Sequence, residues 1–157
     1  MRKSLLKYKN YEVHSITTIF EGKMNANIAT WVMQSAMRGK FMTVALYEHD
    51  YTIELVRKSK ILNINLLSEE QTALITKLGR KSGRDTDKFK RLPYALDNRN
   101  CPYLTQAIGF IQCTVLDEAR SGDHTIFTCP VIGQFLLHPN KKPMTYHFLQ
   151  EKRLVRS

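Results

Sequence analysis

The sequence predicts a mainly β protein, a closed or nearly closed β-barrel with two helices set between its early strands. Three observations carry this. Short β-branched and aromatic runs recur along the chain, separated by turn residues. Residues 105–116 carry apolar side chains on both faces of an alternating pattern, so that strand is covered on both sides or curved. Residues 124–136 follow a turn and complete a long hairpin with it. Six or seven strands with two helices between the first few suit a barrel better than a helical bundle or a doubly wound sheet.

The elements follow in order. Residues 11–20, Tyr-Glu-Val-His-Ser-Ile-Thr-Thr-Ile-Phe, read as a strand, and residues 27–34 and 41–47 as two more. The run Phe41–Tyr47 has few polar positions and reads as central. Asp50 offers an N-cap to a short helix over Tyr51–Ser59, whose Thr52, Leu55, Val56 and Ser59 share one face. Residues 61–67 read as a buried strand. Ser68 with Gln71 forms a capping box opening a second helix, with Leu74, Ile75 and Leu78 facing inward and Gly79 as terminator. Residues 80–100 read as a long polar loop, 105–116 as a strand, 118–123 as a turn, and 124–136 as its partner strand, interrupted by Pro130. Residues 144–149 read as a last short strand before a basic, frayed tail.

The 157 residues suffice for one domain, with its core over about residues 10–150. Twenty-four basic against fourteen acidic residues leave a net charge of +10, which favours anionic partners: a phosphorylated cofactor, nucleic acid or an acidic surface. No apolar run reaches membrane-spanning length, and Lys7 and Lys9 interrupt any signal-like apolar stretch, so the expected location is the cytoplasm. Cys101, Cys113 and Cys129 contain no C-x-x-C pair and form no zinc or disulfide pattern. His14, His49, His138 and His147 show no H-x-x-x-H spacing, so no metal site is expected. Glycine-rich fingerprints for P-loop and Rossmann nucleotide binding are missing, as is the G-x-S-x-G elbow of serine hydrolases.

Three segments stand out. Residues 79–89, Gly-Arg-Lys-Ser-Gly-Arg-Asp-Thr-Asp-Lys-Phe, combine cations with small residues just past a helix end, which suits an anion such as phosphate. A solvated charged loop is the plainer reading. Gly122-Asp123-His124 places an imidazole at a turn, where it either serves chemistry or caps the hairpin. The third is Asn25-Ala26-Asn27-Ile28-Ala29-Thr30-Trp31, with Trp31 a wall or core residue. Together with Tyr51-Thr52, Asn63–Leu67 and the run Ser82–Phe89, these resemble, in order and spacing, the flavin reductase-like proteins with an FMN-binding split β-barrel. The chain departs from that pattern at Ile28, Ala36, Gly39-Lys40 and Asp50, where the family often carries Thr, Ser, Pro-Pro and a basic or small polar residue.

The resemblance implies an oxidoreductase that binds FMN, with FAD as the alternative, and passes electrons from NAD(P)H to free flavin, ferric iron, a monooxygenase partner or another redox protein. It assigns the flavin ring to Asn25, Ile28, Ala29, Thr30 and Trp31, with Ser35 following. It assigns the ribityl and phosphate end to Thr52, Ser82, Gly83 and Arg84, with Lys88 and Phe89 nearby and Asn65 on the strand beside the flavin. Arg84 is the first choice for the phosphate, because a guanidinium binds it bidentately. His124 stands beside the nicotinamide or substrate. A homodimer is implied as well. Two readings of other classes compete: a flavin- or haem-binding module without catalysis, and nucleic-acid binding through the basic loop, which ranks last for want of an aromatic platform.

Overall fold

A computed structural model describes residues 4–155. Ten strands and three α-helices follow one another: β1 (His14–Phe20), β2 (Lys23–Ala26), β3 (Val32–Gln34), β4 (Phe41–Tyr47), α1 (Tyr51–Ser59), β5 (Ile61–Leu66), α2 (Ala73–Gly79), β6 (Tyr94–Leu96), β7 (Pro102–Leu104), β8 (Gly109–Thr114), β9 (Asp117–Ser121), β10 (His124–Leu136) and α3 (Tyr146–Glu151). Eight strands form one antiparallel sheet in the order β2-β1-β5-β8-β10-β4-β3, with β9 also on β10, and β6 and β7 form a separate hairpin.

The sheet splits along β10. Its first half, His124–Pro130, pairs with β4, and its second half, Val131–Leu136, pairs with β8. The change of partner falls just after Pro130, which has no N–H to give a ladder, and at a register shift between Val131 and Gly133. A single thirteen-residue strand thereby joins two half-barrels. Two cores result. One, within the barrel, contains Ile16, Val44, Leu46, Ile53, Val56, Leu62, Ile64 and Phe127. The other packs α2 and the C-terminal segment through Val13, Leu67, Leu78, Phe89, Leu104, Met144 and Leu149. Each such fully buried aliphatic or aromatic side chain contributes about 1.5–3 kcal/mol.

The mainly β architecture, the strands at 41–47, 61–67 and 124–136 and helix α1 agree with expectation. Asp50 caps α1 by accepting the Thr52 N–H. The Gln71 carboxamide accepts the Ser68 N–H at 3.0 Å, although the residues between form a 3-10 turn before α2 begins at Ala73.

Local expectations change in several places. Residues 11–20 yield a strand only from His14. Residues 23–26 form β2, joined to β1 by a tight turn in which Glu21 and Gly22 both take positive φ. Residues 27–31 are not a continuous strand: only Ala29 bridges His14 before β3 starts at Val32. The segment 118–123 is mostly strand β9, and the turn is confined to its end, where Gly122 adopts φ of 60°. Within 80–100, β6 begins the β6–β7 hairpin.

Residues 146–151 are helical, because the Thr145 side chain accepts the Phe148 N–H at 3.2 Å and starts a turn too short to show helical periodicity. The tail beyond it is not frayed through Val155, since Leu154 and Val155 pack on the second core. No helix among the described residues is long and apolar enough to cross a membrane.

Candidate functional site

The segment 27–31 leaves β2, runs past the end of β4 and creates a trough with two joined clefts. One, of about 200 Å³, lies between Ile28–Trp31, Ala45, Tyr47 and His124. The other, of about 290 Å³, lies between the α1 N-terminus (His49, Asp50, Tyr51), the α2 C-terminus and Arg80–Ser82, with Lys88 in its lining. Asn27, Ile28, Tyr47 and Asp50 line both, so the clefts are continuous.

The backbone of the first cleft is pinned on alternate residues. The Ala29 N–H donates to His14 O at 2.8 Å, and the Trp31 carbonyl accepts the Ala45 N–H at 3.0 Å. The Ile28 and Thr30 N–H groups between them have no protein acceptor among the described residues. They are fixed donors that owe nothing to their side chains, so the departures from Thr at 28 leave them in place. Asn27 holds the segment down: its Oδ1 accepts the Ile16 N–H at 3.0 Å and its amide donates to Asp50 at 3.3 Å.

An aromatic cluster closes this end. The His124 ring lies 4.8 Å from Trp31 and 5.5 Å from Tyr47, centroid to centroid. Its Nδ1 pairs with Asp123 at 2.7 Å, which leaves Nε2 for another partner. The hydrogen bond from His124 holds the Asp123 carboxyl below its ordinary range. The turn is anchored in turn by the Glu48 N–H, which donates to Asp123 O at 2.9 Å. Glu48 itself is bound by Arg57 and Thr125, and the Arg57 guanidinium, its largest influence, lowers the Glu48 carboxyl to about 2.

The second cleft is cationic. Lys88 is buried, and its ammonium donates to Ala26 O and Leu78 O, both at 2.8 Å. Leu78 O belongs to the last turn of α2, so Lys88 satisfies a carbonyl there that the helix itself leaves free. Two of its three N–H donors are committed and the third is free for a ligand. Burial pushes its pKa down, partly opposed by Asp50. Arg80 reaches Leu154 O at 3.3 Å, and the Lys81 side chain has no protein partner among the described residues.

The residues expected from the sequence fall into three groups. Ile28, Ala29, Thr30, Trp31, Ser82, Lys88 and His124 line the trough. Asn25 and Thr52, both buried, form a brace with half-buried Gly83. The Asn25 amide donates to Thr52 Oγ1 at 2.9 Å, and a side chain at Gly83 would overlap that same amide. The Asn25 Oδ1 is buried without a partner among the described residues.

The remaining residues lie apart. Arg84 is at the rim, where it ion-pairs with Glu54, donates to His49 O and lies over the Tyr51 ring at 5.3 Å. Phe89 is buried against Tyr94. Asn65 is fully buried, donating to Ser15 O and Thr17 and accepting the Leu104 N–H. Ser35 is exposed beyond β3.

Tyr47, His49, Asp50, Arg80 and Lys81 also line the trough, as do Asn27 and Tyr51 from the motif segments, none of them assigned a site role from the sequence. Arg80 and Lys81 lie inside the basic segment that stood out there. Tyr47 and His49 carry no signal in the sequence, because only the approach of 27–31 and α2 makes a cleft of them. Among the described residues no three His, Cys, Asp or Glu side chains cluster as a metal site.

The chain matches a family model described as "Flavin reductase like domain" over residues 9–154. It is 28% identical over 146 residues to the high molecular weight rubredoxin of Moorella thermoacetica, covering 91% of this chain and 63% of that protein's length. It is 25% identical to the ferric-chelate reductase (NAD(P)H) of Archaeoglobus fulgidus, covering 94% of this chain and 90% of that one. Its fold is shared with an FMN-binding protein from Thermus thermophilus solved with p-hydroxybenzaldehyde. That match has a TM-score of 0.78 at 22% identity and covers 85% of this chain and 76% of the other.

Proposed function

The chain belongs to the flavin reductase-like domain family, and on that premise we propose that it binds FMN, or FAD, in the trough and transfers electrons from NAD(P)H to a downstream acceptor. The observation that carries this reading is one continuous trough with an aromatic, donor-rich end and a cationic end. A flavin mononucleotide has the same polarity: a flat ring with a polar edge at one end and a dianion at the other.

The residues fit that group. The Ile28 and Thr30 N–H groups suit the acceptors of the ring's polar edge, and Trp31 and Tyr47 supply flat walls. Lys81, Arg80 and the third donor of Lys88 suit the phosphate. The bound flavin supplies the hydride-accepting and electron-releasing chemistry. This chain's part is alignment: His124, oriented by Asp123, offers Nε2 to the donor or substrate, and Trp31 and Tyr47 flank its ring. No side chain is required as a general base.

Candidate acceptors are free flavin, ferric iron, a monooxygenase component or another redox protein. We also propose a homodimer, supported by the exposed apolar side chains Ile132, Phe135 and Leu136 on β10. A cytoplasmic location is supported by three buried free thiols.

One titration tests the function. Protein purified with or reconstituted with FMN is expected to be yellow, and NADH or NADPH added without oxygen to bleach it. Bound flavin that neither donor reduces would favour a non-catalytic flavin binder. Failure to bind FMN at micromolar concentration would remove the reading, and a monomer in sedimentation equilibrium would remove the dimer.

A further inference from the structure

A third cavity, of about 540 Å³, adjoins the trough across Trp31 and Thr30, which line both. Its size lies within the roughly 300–1,000 Å³ typical of small-ligand pockets. It is bounded by the N-terminal segment and the start of α3, and these two are tied together. The Tyr146 N–H donates to Tyr11 O at 2.8 Å, the His147 N–H to Asn10 Oδ1 at 3.0 Å, and Glu12 bridges Thr145. The Ser4 side chain accepts the Leu6 N–H and starts the 3-10 turn Leu5–Tyr8 that carries Lys7.

The chemistry of the cavity is two-sided. Trp31, Tyr11 and Tyr146 offer aromatic surface, and Lys7 and Lys9 line the cavity with them. Neither ammonium pairs with a carboxylate among the described residues. Two unpaired ammoniums beside aromatic rings select a flat heterocycle that carries phosphate. A ligand whose redox end lies at His124 and Trp31 extends into this cavity over the shared Trp31 wall.

We propose that this cavity holds the adenosine 2′-phosphate half of NADPH, with Lys7 and Lys9 contacting the phosphate, so that NADPH is preferred to NADH. The inference rests on the electron-transfer reading above and adds the identity of the donor and the residues that select it. The adenine lies against Tyr11 or Tyr146. The 2′-phosphate is the one group that distinguishes the two donors, and it is the group the lysines meet.

Two measurements test it. Calorimetric titration with 2′,5′-ADP needs no turnover. The protein is expected to bind it at least tenfold more tightly than 5′-AMP, and Lys7→Ala with Lys9→Ala to abolish that difference. In anaerobic stopped flow of the FMN-loaded protein, the double variant is expected to lose tenfold or more in kcat/KM for NADPH. NADH and the Kd for FMN should change less than twofold.

Equal affinity for 2′,5′-ADP and 5′-AMP overturns the proposal, as does an equal loss with both donors. If neither donor reduces the flavin, the electron-transfer reading fails, and the 2′,5′-ADP titration still decides whether the cavity is a phosphate site.

Discussion

His124 Nδ1 lies 2.7 Å from a carboxylate oxygen of Asp123, its immediate neighbour in sequence. Adjacent residues in a regular strand point to opposite faces, so this contact needs the turn at Gly122, where φ is 60°. The pairing assigns the neutral ring's proton to Nδ1 and aims Nε2 away from Asp123, beside Trp31. The turn therefore works as a mount for one imidazole.

For that mount we expect His124→Ala to slow anaerobic flavin reduction by tenfold or more, about 1.4 kcal/mol of transition-state stabilisation. FMN affinity should stay within twofold. Asp123→Asn, which leaves the ring but frees its orientation, should give a smaller loss of rate. Unchanged reduction kinetics in His124→Ala, by stopped flow, would return His124 to capping the hairpin.

The cationic cleft makes a second prediction, different from the one residue type alone suggests. Arg84 is already paired with Glu54, and both are well exposed. Such a pair contributes about 0–1 kcal/mol, and its guanidinium must leave Glu54 to serve a phosphate. Lys81 has no competing partner among the described residues. Lys81→Ala should weaken FMN binding by about 1.5–3 kcal/mol, the range for a hydrogen bond to a charged group, and Arg84→Ala by less. Riboflavin, which lacks the phosphate, should bind both variants like the parent. Fluorescence quenching titrations with the two flavins separate these outcomes, and a larger loss in Arg84→Ala would restore Arg84 as the main contact.

Gly83 lies directly against the Asn25 amide, which is itself bonded to Thr52. Gly83→Ala forces that buried amide to move and should destabilise the fold by about 1–3 kcal/mol. Asn25→Ala breaks the bond to Thr52 but removes the obstacle. The double variant should therefore be less destabilised than the sum of the singles. Urea unfolding of the four proteins is the check, and strict additivity would mean that the two residues do not meet.

His14 supplies the pH dependence. Burial lowers its pKa from 6.5 to about 4, with Glu12 opposing, and its Nδ1 has no partner among the described residues. Between those values the unfolded chain binds the proton and the folded chain does not. Stability therefore rises with pH across that window and is lost as pH falls from about 6.5 toward 4, by on the order of 3 kcal/mol. His14→Gln should flatten this part of the stability curve relative to the parent. A parallel curve in chemical denaturation from pH 4 to 7 would show that His14 does not carry it.

Much of the scaffold was legible because it is written in short-range patterns. The scarcity of polar residues in 41–47 marks a central strand, and the turn before 124–136 marks the strand that follows it as a hairpin arm. Asp50 followed by an amphipathic turn marks α1, and the basic stretch after α2 marks a region for anions. The elements that escaped are those with little periodicity to read: the four residues of β2, the three-residue strands β6 and β7, the polar strand β9 and the six of α3. Each forms because a neighbour or a single cap stabilises it, not because of its own propensity.

The sequence by itself determined the barrel class, the family and the segments that build the trough. Only tertiary structure decided which partners each residue in those segments meets. Lys88 and Arg84 are four positions apart and chemically similar, yet one is buried beneath the cleft by two carbonyls from distant elements and the other is held at the rim by Glu54. Tyr47 and His49 join the site only because 27–31 and α2 close over the end of β4. A side chain's type sets which partners it can bind, and the fold's long-range contacts set which of those partners are near enough to bind it.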